Sequence, residues 1–134
     1  MTSAERRATY VDSSALVKLA VAEPESGALR RYLRRRRLTT SALARTEVSR
    51  ALLPLGAEFV QRGVDVLSRI DLIRINERVL AAAGALKPAT LRSLDAIHLA
   101  TAAELADDLS SLVTYDERMA DAARALGWRV ASPR

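Results

Sequence analysis

The sequence contains no cysteine, and this absence excludes several kinds of chemistry at once. A protein without thiols has no disulfide framework, no thiolate metal site and no cysteine nucleophile. The absence agrees with a reducing compartment, and we expect the protein to be cytoplasmic.

The sequence also lacks any long hydrophobic run. No stretch approaches the roughly 20 apolar residues that span a bilayer, so we predict no membrane segment. Residues 1–7 carry charges but no apolar core of the kind found in secretory signals, and we interpret them as a short disordered lead-in. The remaining residues, 8–134, have the length of a single domain with its own core.

Aromatic residues make up only 4% of the chain, so stacking on nucleobases is not expected to be a main mode of recognition. Positive charge is in excess, with 21 basic and 16 acidic residues and a net charge of +5, which favours contact with polyanions. Six of the 21 basic residues lie close together in one arginine segment, which contains Arg30, Arg31, Arg34, Arg35, Arg36 and Arg37. This segment is a candidate surface for RNA phosphates or for a protein partner, and the alternative is a solvated face.

Short apolar runs alternate with helical patterns along the whole chain. We predict strands at 8–11, 38–40, 70–75, 111–114 and 128–131, and helices at 15–22, 25–37, 41–53, 57–68, 76–86, 94–106 and 116–126. Such alternation is typical of parallel sheets covered by helices on both faces. The predicted fold class is therefore α/β, a three-layer α/β/α domain with a short, mainly parallel central sheet.

Two acidic residues follow predicted strands. Asp12 comes directly after the first strand, and Asp116 comes shortly after the strand at 111–114. Open α/β sheets bind ligands at the carboxyl ends of their strands, so we expect both side chains to lie at that edge. The alternative for each is a helix cap.

Two further acidic residues lie on predicted inward-facing stripes of helices. Glu47 shares a face with Leu43 and Ala51, and its alternative is a surface pair with Arg50. Asp95 begins a stripe with Leu99 and Ala102, which we expect to face the core, and its alternative is a favourable charge in a first helical turn.

Together, the four carboxylates would repel one another and raise their pKa values if they met without a cation. A divalent metal ion removes that repulsion. Ligands that are all oxygen suit Mg²⁺, with Mn²⁺ as a substitute, rather than Zn²⁺.

The same residues carry a resemblance to a known family. Segment 10–19, YVDSSALVKL, resembles the opening strand and first acidic motif of PIN-domain proteins. The helix with Thr46-Glu47-Val48 resembles the helix that carries their glutamate. Segments 94–102, LDAIHLATA, and 113–119, VTYDERM, are similar to their third and fourth acidic motifs. The four motifs occur in the order found in the family.

This resemblance implies a PIN-like fold and a Mg²⁺-dependent endoribonuclease of the VapC toxin type, with RNA as substrate, a cognate antitoxin as partner and a homodimeric assembly. Asp12, Glu47, Asp95 and Asp116 are then the catalytic residues and metal ligands, and Thr114 and Ser13 are supporting hydroxyls. A metal-free mechanism through paired histidines is excluded, because His98 is the only histidine. We interpret His98 itself as a packed helix residue.

Three other functions remain open at this point. A non-catalytic RNA- or ribosome-binding module would use the arginines and keep the acids as structure. A phosphoacceptor domain needs a lysine at the acidic edge, but neither Lys18 nor Lys87 follows a strand. A PIN nuclease of RNA maturation would share every motif.

Overall fold

The computed structural model describes residues 7–134, so residues 1–6 of the predicted lead-in lie outside the described residues. The strands are β1 (Ala8–Val11), β2 (Arg37–Ser41), β3 (Asp71–Ile73), β4 (Leu109–Val113) and β5 (Val130–Ala131). They form one sheet in the order β3-β2-β1-β4-β5, and every neighbouring pair is parallel. The predicted parallel sheet is confirmed.

Helices provide the crossover connections that parallel strands require. The described residues form α1 (Ser13–Ala20), α2 (Ser26–Leu33), α3 (Ala44–Leu52), α4 (Ala57–Leu67), α5 (Glu77–Ala85), α6 (Ser93–Ala103) and α7 (Glu117–Ala125). None of the helices within residues 7–134 has the length and apolar character needed to cross a membrane.

The core has two parts, one on each face of the sheet. In β1, Val11 packs with side chains of α1 to α4, whereas Tyr10 packs with side chains of α6 and α7. Val113 and Leu112 divide in the same way in β4. Successive side chains of a strand point to opposite faces, so both central strands are buried on both sides. The three-layer prediction is confirmed.

Helix ends differ from the prediction in places that matter for the site. α1 is capped by Asp12, whose side chain accepts a hydrogen bond from the Ala15 N–H, and the helix begins at Ser13, two residues before its predicted start. Ser41 is the last residue of β2, and α3 begins only at Ala44. α6 begins at Ser93, one residue before its predicted start.

The sequence predicted one helix over residues 25–37, but the arginine segment does not form one long helix. α2 ends at Leu33, Arg35 has a φ of 64°, and Arg37 begins β2. The left-handed backbone at Arg35 reverses the chain, and the following residues then pair with β1.

The order of the strands places a crevice between β1 and β4. From β1 the chain proceeds outward through β2 and β3, whereas from β4 it proceeds to β5 on the other side. Ligands of open α/β sheets bind at such a switch point, outside the carboxyl ends of the strands. Residues that follow β1 and β4 are therefore the ones best placed for function.

Candidate active site

Asp12 follows β1 at the switch point and is 2% exposed. Its Oδ1 accepts hydrogen bonds from Ser14 Oγ at 2.7 Å and the Ala15 N–H at 3.0 Å, and its Oδ2 accepts one from Thr114 Oγ1. Burial raises the pKa of Asp12, and these three hydrogen bonds oppose that rise. A carboxylate has about four acceptor sites, so one on Oδ2 is left for a further ligand.

Thr114 links the two acids that follow β1 and β4. Its Oγ1 donates to Asp12 and accepts from the Asp116 N–H at 3.0 Å. Asp116 Oδ1 in turn caps α7 by accepting from the N–H groups of Arg118, at 2.9 Å, and Met119, at 3.2 Å. Both aspartates are therefore helix caps, as the alternative interpretation held, and both also lie at the switch point.

Glu47 is half-buried on α3, and its partners come from two other helices. Its Oε1 accepts hydrogen bonds from Ser13 Oγ at 2.7 Å and from His98 Nε2 at 2.5 Å. Burial works to raise the pKa of Glu47, but its hydrogen bonds with His98 and Ser13 outweigh this effect and leave the pKa below its usual range. The alternative for Glu47, a surface pair with Arg50, does not form in this structure, where Arg50 is exposed.

The stripe predicted for Glu47 was also wrong in part. Ala51 is exposed and Leu43 is only half-buried, whereas the buried side chains of α3 are Ala44, Val48 and Leu52. Glu47 precedes Val48 and therefore lies at the boundary of the buried face.

Asp95 lies in the first turn of α6, above Leu99 and Ala102, which are fully buried as predicted. Burial is the largest cause that raises the pKa of Asp95, and the charge of Asp116 is the next. Asp12 and Glu47 raise it further. Within residues 7–134 the carboxylate of Asp95 accepts no hydrogen bond that would offset this repulsion.

The four candidate acids thus share one electrostatic environment at the carboxyl edge of the sheet. Within the described part of the chain, no three acidic or imidazole groups are already arranged to hold a metal ion. The donor set is nevertheless all oxygen, which suits Mg²⁺ or Mn²⁺. The mutual repulsion at Asp95 is the kind that a bound cation relieves.

Sequence reasoning gave His98 and Tyr10 no role in the site. His98 is 1% exposed, as expected of a packed residue, but both of its ring nitrogens are hydrogen-bonded. Nδ1 lies 2.7 Å from the hydroxyl of Tyr10, whose pKa is raised by burial. Asp95 and His98 are three residues apart, so they are neighbours on one face of the helix. This spacing was the signal in the sequence that could have placed His98 at the site.

The arginine segment enters the sheet at its amino edge, opposite the carboxyl edge where the acids lie. β2 begins at Arg37 and runs to Ser41 at the carboxyl edge, a rise of about 13 Å. Arg36 stacks on the ring of Tyr32 at 4.2 Å, and Arg37 lies 3.7 Å from Asp71. Arg34 and Arg35 are exposed. These arginines therefore do not surround the acids.

Comparison with known proteins agrees with this architecture. The family model of the PIN domain matches residues 9–125. The chain is 58% identical to ribonuclease VapC46 of Mycobacterium tuberculosis over 127 residues, which covers 94% of this chain and 98% of that protein.

Solved structures show the same likeness. A chain of a toxin–antitoxin complex from Klebsiella pneumoniae is 26% identical, with a TM-score of 0.71 and coverage of 94% of this chain and 98% of that chain. VapC20 of Mycobacterium tuberculosis, a toxin that cleaves the sarcin–ricin loop, shares the fold at 14% identity, with a TM-score of 0.73 and coverage of 93% and 99%. The extent of these matches, together with four acidic motifs at the switch point, shows that the chain belongs to the PIN-domain family and, within it, to the VapC group.

Proposed function

We propose that this chain is a metal-dependent endoribonuclease and the toxin of a toxin–antitoxin pair. The observation that carries the proposal is the position of four carboxylates around one switch point, where the pKa of Asp95 is raised first by burial and then by the charges of the other three. The high identity to a relative named as a ribonuclease supports the same reaction.

Asp12, Glu47, Asp95 and Asp116 would hold Mg²⁺, for which Mn²⁺ can substitute. Bound there, the cation would activate a water molecule and neutralise the charge that develops on the phosphate and the leaving oxygen. The protein's own contribution is to hold its acids in place. Thr114 and Ser14 hold Asp12, while Ser13 holds Glu47.

Incubation of the purified protein with RNA that contains structured loops tests this function. We expect cleavage at defined positions in Mg²⁺ or Mn²⁺ and none in excess chelator, with the new RNA ends mapped by sequencing. Binding without cleavage, unchanged by chelator, would instead support a non-catalytic RNA- or ribosome-binding module.

A toxin also differs from a nuclease of RNA maturation in its effect on cells. We expect that expression of the chain arrests growth and that co-expression of a small adjacent gene, encoding the antitoxin, relieves the arrest. RNA end-mapping that shows trimming of precursors without growth arrest would favour the maturation role.

The proposal includes two protein partners, the antitoxin and a second copy of the chain. The Klebsiella pneumoniae neighbour is part of a toxin–antitoxin complex, which supports the first. Large apolar side chains that are 43–57% exposed are candidates for the surfaces that these partners would cover. They are Leu53, Leu55, Val64, Leu80, Leu94 and Leu126.

We further propose that the arginine segment contacts RNA phosphates away from the cleavage site. Replacement of Arg31 and Arg34 together by glutamine should reduce the salt dependence of RNA binding, by roughly 0.7 in slope for each lost contact with single-stranded RNA. Cleavage of a short oligonucleotide at saturation should be unchanged, because these residues belong to the segment that enters the sheet at the edge opposite the acids.

Arg62→Gln is the matched control, since Arg62 is already paired with Glu58 at 2.9 Å. Salt titrations with a fluorescent RNA measure the slope for the wild type, the double variant and Arg62→Gln. An unchanged slope in the double variant, with weaker antitoxin binding, would assign this segment to the antitoxin.

A further inference from the structure

A buried chain of hydrogen bonds runs from the sheet to Glu47. The hydroxyl of Tyr10 in β1 lies 2.7 Å from His98 Nδ1, and His98 Nε2 lies 2.5 Å from Glu47 Oε1. Tyr10 and His98 are 0% and 1% exposed, and their rings meet edge to face with centroids 5.8 Å apart. Packing and hydrogen bonds therefore restrict both rings.

The chemistry of the three groups gives this chain a direction. An ionised carboxylate accepts hydrogen bonds and donates none, so the proton between His98 and Glu47 belongs to His98 Nε2. In a neutral imidazole the other nitrogen is then an acceptor. The phenol of Tyr10 keeps its proton at neutral pH and is the donor to Nδ1.

The result of this arrangement is seen at the carboxylate of Glu47. His98 from α6 and Ser13 from α1 both bond to Oε1, which fixes the carboxylate from two sides. Among residues 7–134 no donor contacts Oε2. One oxygen is thus held by the protein while the other keeps its lone pairs for a different ligand.

We propose that Tyr10 and His98 are positioning residues for Glu47. Tyr10 supports the Nε2–H tautomer of His98 by donating to Nδ1 and fixes the ring, and the Nε2–H group, with Ser13, orients Glu47 so that Oε2 is presented to the cation. This inference rests on the proposed function. Partners that orient metal ligands in this way commonly change metal affinity by about 10- to 100-fold when they are removed.

The tautomer is measurable without metal, because the chain has a single histidine. Long-range ¹H–¹⁵N spectra of the metal-free wild type should show the Nε2–H form. Tyr10→Phe removes the donor to Nδ1 but leaves Glu47 at Nε2, so the Nε2–H form should persist while the ¹⁵N signal of Nδ1 moves toward that of a nitrogen without a hydrogen bond. Tyr32→Phe, which loses a comparable hydroxyl contact at 2.9 Å to Ser111 Oγ, should leave the spectrum unchanged.

A pair of substitutions then tests the position of the donor. The amide nitrogen of glutamine reaches about as far as Nε2, whereas that of asparagine reaches only to Nδ1. In Mn²⁺ titrations followed by calorimetry, we expect His98→Gln to bind within about threefold of wild type and His98→Asn to bind about 10- to 100-fold more weakly.

Two results would overturn the positioning role: an Nδ1–H tautomer in the wild type, or equal Mn²⁺ affinity in wild type, His98→Gln and His98→Asn. These results are distinct from failure of the proposed function. A wild type that binds no Mn²⁺ contradicts the metal site itself, whatever tautomer His98 adopts.

Discussion

Asp116→Asn and Asp12→Asn are each expected to lower the rate of RNA cleavage by about a thousandfold while the protein stays folded. A bound metal ion contributes several kcal/mol of charge stabilisation to the transition state, and about 4 kcal/mol corresponds to a thousandfold in rate. Asparagine caps helices as well as aspartate does, so α1 and α7 keep their caps. The measurements are kcat/KM on a fluorogenic RNA and circular dichroism.

Asp116→Asn is the cleaner of the two variants. Within residues 7–134, all hydrogen bonds to the Asp116 carboxylate fall on Oδ1, so the amide nitrogen can take the place of Oδ2. Asp12 uses both oxygens, and loss of one acceptor in a buried group costs about 1–3 kcal/mol of stability. Asp65→Asn, a change to an exposed acid on α4, is the control and should cleave RNA normally. A folded Asp116→Asn protein with wild-type activity would remove Asp116 from the site.

Asp95→Asn is expected to make the metal-free protein more stable at pH 7 and to abolish its response to Mn²⁺. The pKa of Asp95 is raised in the folded state, so its ionisation opposes folding. In the wild type, Mn²⁺ at a hundredfold excess over Kd should add about 2.7 kcal/mol. That corresponds to a rise of roughly 3–6 °C in Tm for a domain of this size.

The pH dependence of this difference in stability follows from the direction in which the pKa of Asp95 is shifted. A carboxyl whose pKa is higher in the folded state loses its contribution to stability as the pH rises through that pKa. The advantage of Asp95→Asn should therefore be full at pH 7 and should shrink as the pH falls toward the ordinary value of about 3.9, where both side chains are neutral.

The melting curves of the wild type and Asp95→Asn are compared in chelator at each pH. The difference between them cancels the contributions of all other groups to the pH dependence. Asp65→Asn should track the wild type throughout and respond normally to Mn²⁺. If Asp95→Asn melts below the wild type at every pH and gains as much from Mn²⁺, Asp95 stabilises the fold and does not bind metal.

Much of the sheet was predictable because its signals are local. Apolar runs bounded by polar residues marked β1 and β4, and the acids that follow them were placed at the carboxyl edge by topology alone. The confirmed stripe of Asp95, Leu99 and Ala102 likewise depends only on helical periodicity.

The end of α2 was not predictable in the same way. Arginine has a high helix propensity, and no glycine or proline stands after Leu33 to mark a stop. The helix ends because Arg37 is needed in β2, where it pairs with Ala8. A tertiary contact therefore overrides the local preference.

The surroundings of Glu47 were hidden for a related reason. Its contact with His98 joins residues 51 positions apart on two helices whose relative placement depends on the whole fold. Periodicity placed Glu47 near the inward face of its helix but named the wrong neighbours, since a shift of one residue rotates a helical face by about 100°.

The hydrogen bond between Asp12 and Thr114 also bears on synthesis of the protein, since it spans 102 residues. Translation proceeds at about 5–20 residues per second, so roughly 5–20 seconds separate the appearance of these two residues on the ribosome. During that interval β1 has no β4 beside it, and Asp116 has not yet been made. The emerging chain therefore carries only part of its acidic cluster, and the site is assembled only after Asp116 has been synthesised.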